Sequence, residues 1–69
     1  MGGKPIDDAQ FAKLFREGRA RTGETFHDLA LVFKAAAGTI ARWEAGKSAP
    51  AQVSRKTILG HFKERDAAG

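Results

Sequence analysis

The segment from Thr25 to Pro50, TFHDLALVFKAAAGTIARWEAGKSAP, constrains the fold more than any other part of the chain. It carries two apolar stripes at helical spacing, which predict two short helices joined by a tight turn. Gly46 lies where a helix needs a left-handed residue after its last turn, and Pro50 then prevents the helix from resuming. Helices this short are unstable alone, so the pair must pack against flanking helices.

A capping signature marks the start of the first of these two helices. Thr25 is the predicted N-cap, and the Asp28 carboxylate can meet the free N–H groups there. The apolar faces predicted for the two helices consist of Leu29, Ala30, Phe33, Ile40 and Trp43. With those faces held inward, the second helix is free to present its opposite face.

A longer helix is predicted before this segment. Asp7 or Asp8 can cap its positive end, and Gly23 can supply the left-handed residue after its last turn. Its apolar face, spaced i, i+3, i+4, i+7, consists of Phe11, Leu14, Phe15 and Gly18. Residues 1–6 are expected to be a flexible leader.

A last helix is predicted after Pro50, with Ser54 as its cap and Val53 with Ile58 as a hydrophobic staple. Residues 66–69 are expected to fray. Strand-like alternation is absent from the sequence, so the predicted fold class is all-α, with four to five short helices in one domain over residues 7–65.

Composition narrows the classes of function. The 69 residues include no cysteine, so a disulfide framework and a thiolate metal site are excluded, and we expect no metal or cofactor. No apolar run approaches the roughly 18 residues of a membrane span, and the N-terminus lacks a secretory signal pattern, so a cytoplasmic location is expected. The net charge of +4 favours a polyanionic partner, although many small domains are modestly basic.

Several positions together resemble the Cro/phage-repressor helix-turn-helix family, and similar positions occur in the DNA-binding domains of some antitoxins. The matching residues are Leu29, Ala30, Ile40, Trp43, Glu44, Gly46 and Pro50, with Arg19 upstream. The resemblance implies a lambda-repressor-like bundle containing a helix-turn-helix, which binds double-stranded DNA as a homodimer.

The resemblance also implies roles for particular residues. Arg19 and Glu44 would form a structural ion pair between the first helix and the recognition helix. The residues that would meet base edges are Ala36, Ala37, Gly38 and Arg42. The residues that would meet phosphates are Thr25, Lys34, Thr39, Lys47 and Ser48.

The sequence departs from the family pattern in the turn and around it. Lys34 replaces the usual glycine, so either a lysine is held at positive φ or the turn has another shape. Ala36 replaces the usual Ser or Thr cap of the recognition helix. Phe26 replaces a common glutamine. Leu31 and Val32 are apolar at positions where the family prefers polar residues.

Each proposed contact has a simpler alternative. Arg42 can bond guanine bidentately or can be a solvated surface arginine. The small residues before it, Ala36, Ala37 and Gly38, can allow the helix to approach the bases closely, or they can make no base-specific contact. Lys47 and the more distant Arg55 and Lys56 can hold phosphates or face solvent. His61 is expected at the surface without a special role.

Two functions follow from these alternatives. The first is a sequence-specific DNA-binding transcriptional regulator, a repressor, whose recognition helix (about residues 36–45) enters the major groove. The second is a protein-binding module on the same scaffold, antiactivator-like or antitoxin-like, that uses Phe26, Leu31 and Val32. Catalysis is not expected, because the Ala45–Ser48 likeness to a phosphate-binding loop lacks the first glycine and follows a helix.

Overall fold

The computed structural model describes residues 5–68, which form four helices and no strand. The helices are α1 (Asp8–Thr22), α2 (Phe26–Phe33), α3 (Ala37–Glu44) and α4 (Gln52–Ala68). The predicted all-α class is therefore confirmed. None of the helices in this range is long and apolar enough to cross a membrane.

The predicted ends of α1 and the start of α2 are present. Asp7 caps α1, since its carboxylate accepts a bond from the Gln10 N–H at 2.7 Å. Gly23 ends α1 with φ 74°. Thr25 and Asp28 form a reciprocal capping box at the start of α2, with bonds of 3.0 and 3.1 Å. These helix boundaries are local events, so local sequence predicts them.

The core is built around α1, which packs against both α3 and α4. The Phe15 ring lies at the centre, with the Phe62 ring 5.2 Å away and the Trp43 ring 6.1 Å away, both edge-on. The buried core residues are Phe11, Phe15, Leu29, Ile40, Trp43, Ile58 and Phe62. Such edge-on aromatic contacts stabilise a core beyond the area that they bury.

Helices α1 and α4 approach each other closely at Gly18. A Cβ atom at this position would lie 2.6 Å from two ring atoms of Phe62, a separation that side chains do not tolerate. Gly18 was predicted to lie on the apolar face of α1, and it is buried. Its role is to leave room for the Phe62 ring.

The start of α4 differs from the prediction. The helix begins at Gln52, before Ser54, so Ser54 lies within the first turn and does not cap the helix. The Ala51 carbonyl accepts the first backbone bonds of the helix, from Ser54 and from Arg55. The predicted hydrophobic staple is also wrong, because Val53 is 77% exposed.

The two ends of the domain also extend beyond the predicted limits of 7 and 65. Helix α4 continues to Ala68, where fraying was expected, and Gly69 lies outside the described residues. At the other end, Ile6 of the expected leader packs against the core. The Gln52 side chain accepts from the Ile6 N–H at 3.0 Å and donates to its carbonyl at 2.8 Å. Pro5 is exposed, and residues 1–4 of the expected leader lie outside the described residues.

Candidate nucleic-acid interface

The turn between α2 and α3 takes the strained form that the sequence allowed. Lys34 lies in the left-handed region, with φ 55° and ψ 45°. Its backbone N–H donates to the Ala30 carbonyl, and the Ala35 N–H donates to the same atom at 3.2 Å. A left-handed non-glycine residue costs about 1–2 kcal/mol, so the surrounding packing must impose this conformation.

Helix α3 lies with one face against the core and the other outside. Ile40 and Trp43 are buried, whereas the opposite side consists of exposed residues. The N-cap position before Ala37 is occupied by Ala36, which provides no side-chain hydrogen bond to the helix. The first turn of α3 therefore presents backbone N–H groups that no capping side chain covers.

The end of α3 is closed by a well-formed backbone motif. Gly46 has φ 77°, as predicted, and its N–H donates to the Trp43 carbonyl at 3.1 Å. The Lys47 N–H then donates to the Arg42 carbonyl at 3.0 Å. This pair of bonds is the Schellman arrangement, and it fixes the loop backbone relative to the last turn of α3.

Arg19 and Glu44 tie α3 to α1, as the resemblance implied. The Arg19 Nε donates to one Glu44 carboxylate oxygen at 2.6 Å, and Nη2 donates to the other at 3.0 Å. The bond to Glu44 raises the pKa of Arg19 above its usual value, so its charge is secure. The Arg19 guanidinium also lies 4.4 Å above the Phe26 ring. A bidentate pair fixes orientation as well as charge, so it sets the direction in which α3 points.

The residues expected to meet bases are all exposed, one at the N-cap of α3 and three within the helix. These exposed residues are Ala36, Ala37, Gly38 and Arg42. Within residues 5–68 the Arg42 guanidinium has no hydrogen-bond or ion-pair partner. Arg42 is therefore the long polar side chain that this face offers to a ligand.

The residues expected to meet phosphates are distributed more widely. Lys34, Thr39 and Lys47 are exposed, and Ser48 is half-buried in the loop after α3. Thr25 is exposed at the opposite end of α2 from the turn, where its hydroxyl accepts the Asp28 N–H at 3.1 Å. The structure brings Lys47 next to Arg42 through their backbone bond, but no bond in the described part of the chain joins Thr25 to α3.

The electrostatics of this surface favour a negatively charged ligand. Residues 36–51 contain a single carboxylate, Glu44, and Arg19 neutralises it. The other charges of the segment are Arg42 and Lys47, both exposed. The two exposed charges of this segment are thus both positive, and the segment has no further acidic side chain to pair with them.

Arg55 occupies a different place from the phosphate rim considered for it. It is 8% exposed, its Nε donates to the Pro50 carbonyl at 2.7 Å, and its Nη2 pairs with Asp8 at 2.9 Å. It also donates to the Ile6 carbonyl. Arg55 therefore joins the N-terminal segment, the loop after α3 and α4. Two of its partners, Ile6 and Asp8, lie more than 40 positions away in the chain, so the local sequence contains no signal for this role.

His61 is also more involved than the sequence indicated. It is half-buried, and its Nε2 lies 3.1 and 2.9 Å from the two carboxylate oxygens of the buried Glu24. Its ring packs edge-on against Phe33 at 5.3 Å. The His61–Glu24 pair connects α4 to the loop before α2 across 37 positions of sequence, and the Phe33 contact connects α4 to α2. Local sequence could not predict contacts over such separations.

Two further observations concern metal ligands and similar proteins. In the range that the structure describes, no group of three or more His, Cys, Asp or Glu could hold a metal ion. Comparison of the chain with protein-family models, curated proteins and solved structures found no match.

Proposed function

We propose that this protein is a sequence-specific DNA-binding transcriptional regulator, a repressor, built on a lambda-repressor-like helix-turn-helix. In this proposal α2 and α3 are the two helices of the motif, and α3 is the recognition helix. Helix α3 enters the major groove, and the protein needs no cofactor. The protein binds as a homodimer, as is common for this mode of recognition.

One observation carries the proposal. Helix α3 is held from behind by core contacts and by the Arg19–Glu44 pair, while its outer face carries Arg42 without a protein partner. A rigidly supported helix with an exposed arginine suits the major groove, because arginine can bond guanine O6 and N7 bidentately. Lys47 follows in the loop whose backbone the Schellman motif joins to Arg42, and in this proposal it contacts a phosphate.

The test compares two classes of DNA contact. Arg42→Ala should cost roughly 1–3 kcal/mol of binding and relax the preference at one position, whereas Lys47→Ala should weaken binding to all sequences similarly. The measurement is a titration of each variant against a selected duplex and a random duplex, at two salt concentrations. Affinity should fall steeply with salt, because counterions are released on binding.

Lys63→Ala provides the matched control. Lys63 is an exposed lysine on α4, so this variant loses the same charge outside the proposed surface. Its affinity should change little. Equal losses for Arg42→Ala on both duplexes would remove the base-reading role, and absence of duplex binding by the unmodified protein would sink the proposal as a whole.

A second function is favoured by a separate observation. Leu31 is 70% exposed and Val32 is 48% exposed on α2, an unusual placement for two adjacent large apolar residues. A protein-binding module, antiactivator-like or antitoxin-like, would use them. Phe26, expected in the same surface, instead packs against the core beneath Arg19. Chemical-shift mapping separates the two functions: duplex DNA should perturb residues 39–47, whereas a protein partner should perturb Leu31 and Val32.

A further inference from the structure

Gly38 has no structural reason to be a glycine. It lies in the first turn of α3, and its φ is outside the left-handed region that favours glycine. A Cβ atom added to it would meet nothing within 4 Å. Gly18 makes room for Phe62, while Gly23 and Gly46 adopt positive φ. Gly60 on α4 also has open space around an added Cβ, but it lies outside the proposed surface.

A glycine in a helix weakens it relative to alanine, since glycine loses more backbone freedom on folding. At Gly38 the structure shows no internal compensation for that loss. The position faces outward on the proposed recognition helix, next to Ala37 and one turn before Arg42. The space that a side chain would fill therefore lies on the side from which a ligand would approach.

We infer that Gly38 is a specificity-determining residue, whose missing side chain lets the first turn of α3 lie close against a T·A base pair. This inference rests on the proposed function and names the class of DNA that it would select. Close approach lets the Ala37 methyl group contact a thymine methyl group, an apolar contact that distinguishes T·A in the major groove. A larger residue at position 38 would hold the helix away from the base pair.

The geometry of α3 also sets the spacing of the target. Gly38 and Arg42 are four residues apart, which is about 6 Å along the helix axis, or about two base-pair steps of DNA. The half-site should accordingly contain one guanine bound by Arg42 and, about two base pairs away, a T·A pair against Gly38. No other long hydrogen-bonding side chain on the exposed face of α3 is available to read further bases.

The first experiment uses the unmodified protein. Duplexes selected from a random pool should contain this guanine and the neighbouring T·A pair. Replacing that thymine by uracil removes only its methyl group, and it should weaken binding by about fivefold or more, the lower limit for one altered base contact. Selected duplexes that bind equally well with uracil at every thymine would overturn the inference and leave the proposed function standing.

The second experiment compares two glycine variants. Gly60 is also helical, in α4, with nothing within 4 Å of an added Cβ, so Gly60→Ala is a matched control for Gly38→Ala. Both variants should raise Tm by about 2–8 °C. Only Gly38→Ala should weaken binding to the selected duplex, by about tenfold.

The outcomes separate the inference from the function on which it rests. Unchanged affinity for Gly38→Ala on a duplex that the unmodified protein selects would overturn the inference alone. Failure of the unmodified protein to enrich any duplex would overturn the proposed function, and the inference with it. A gain in Tm together with a loss of affinity at Gly38, but not at Gly60, would establish the role.

Discussion

At the scale of single residues, side-chain pairs determine where the helices point. The Arg19–Glu44 pair joins α1 to the last turn of α3 across 25 positions of sequence, and both side chains are largely shielded from solvent. Removal of one partner from such a partly buried pair leaves the other charge without compensation, which is destabilising.

Glu44→Gln is therefore expected to destabilise the protein. The amide keeps one acceptor oxygen but places its NH₂ group against the Arg19 guanidinium, so the free energy of unfolding should fall by about 2 kcal/mol. Urea unfolding measures this change. Glu17→Gln, an exposed carboxylate on the same helix as Arg19, should alter stability by less than about 0.5 kcal/mol. Equal effects would show that the pair contributes nothing specific.

Asp28 is expected to make stability depend on acid pH. The Thr25 N–H, and then the Thr25 hydroxyl, lower the pKa of Asp28 below the usual 3.8 by favouring its charged form. Because the folded pKa is lower than the unfolded one, this contribution is present above about pH 3.8 and is lost as pH falls through the folded pKa.

Thermal unfolding at a series of acid pH values checks this effect. The unmodified protein should have a higher Tm than Asp28→Asn at neutral pH, and the difference should shrink below about pH 4. A difference in Tm that does not change with pH would contradict the proposed origin of the shift.

At the scale of elements, the α2–α3 pair has well-specified ends and a strained middle. Thr25 and Asp28 fix the start of α2, and Gly46 fixes the end of α3. Between them, Lys34 is held in a left-handed conformation and Ala36 leaves the start of α3 uncapped. Strain of this kind persists where the surrounding packing determines the backbone, and it is often found at functional sites.

Replacing Lys34 by glycine should relieve the strain. Glycine adopts φ 55° without a steric cost, so Lys34→Gly should raise the free energy of unfolding by about 0.5–1 kcal/mol, after its greater freedom in the unfolded chain is allowed for. Lys34→Ala is the control, because it removes the same charge but keeps the steric conflict. Urea unfolding should give Lys34→Gly a higher free energy of unfolding than both the unmodified protein and Lys34→Ala. Equal stability of the two variants would contradict a strained turn.

At the scale of the whole molecule, α1 is the element against which the others assemble. Its apolar face meets α3 through Trp43 and α4 through Phe62, and Gly18 allows the second contact to be close. The N-terminal segment at Ile6 is then tied to α4 by Gln52 and Arg55. The exposed face of α3 thus has a rigid support.

Gly18→Ala is expected to disrupt this assembly. The added methyl group would overlap the Phe62 ring, so the free energy of unfolding should fall by about 1–3 kcal/mol. Adding Phe62→Ala to Gly18→Ala should cost less than Phe62→Ala does alone, since the two closest contacts, with Cγ and Cδ2 of Phe62, are then absent. A fully additive double mutant, measured by urea unfolding, would indicate that the two helices separate easily at this point.

The sequence by itself determined the local features of this protein. Helical periodicity and the capping residues Asp7, Gly23, Thr25 and Gly46 predicted four to five helices and most of their ends, because those signals act between neighbours in the chain. The same reasoning failed at Ser54, because α4 begins two residues earlier, at Gln52, and Arg55 of its first turn donates to the Pro50 carbonyl.

Only the tertiary structure decided which side chains meet across long distances of sequence. It placed Arg55 in a buried cluster instead of on a phosphate rim, and it joined His61 to Glu24. It also showed that Gly38 lies beside open space while Gly18 does not. The physical reason is that these contacts depend on how α1 and α4 pack, and packing joins residues that the chain keeps apart. The segment from Thr25 to Pro50 predicts its own two helices, but the support behind α3 comes from outside it.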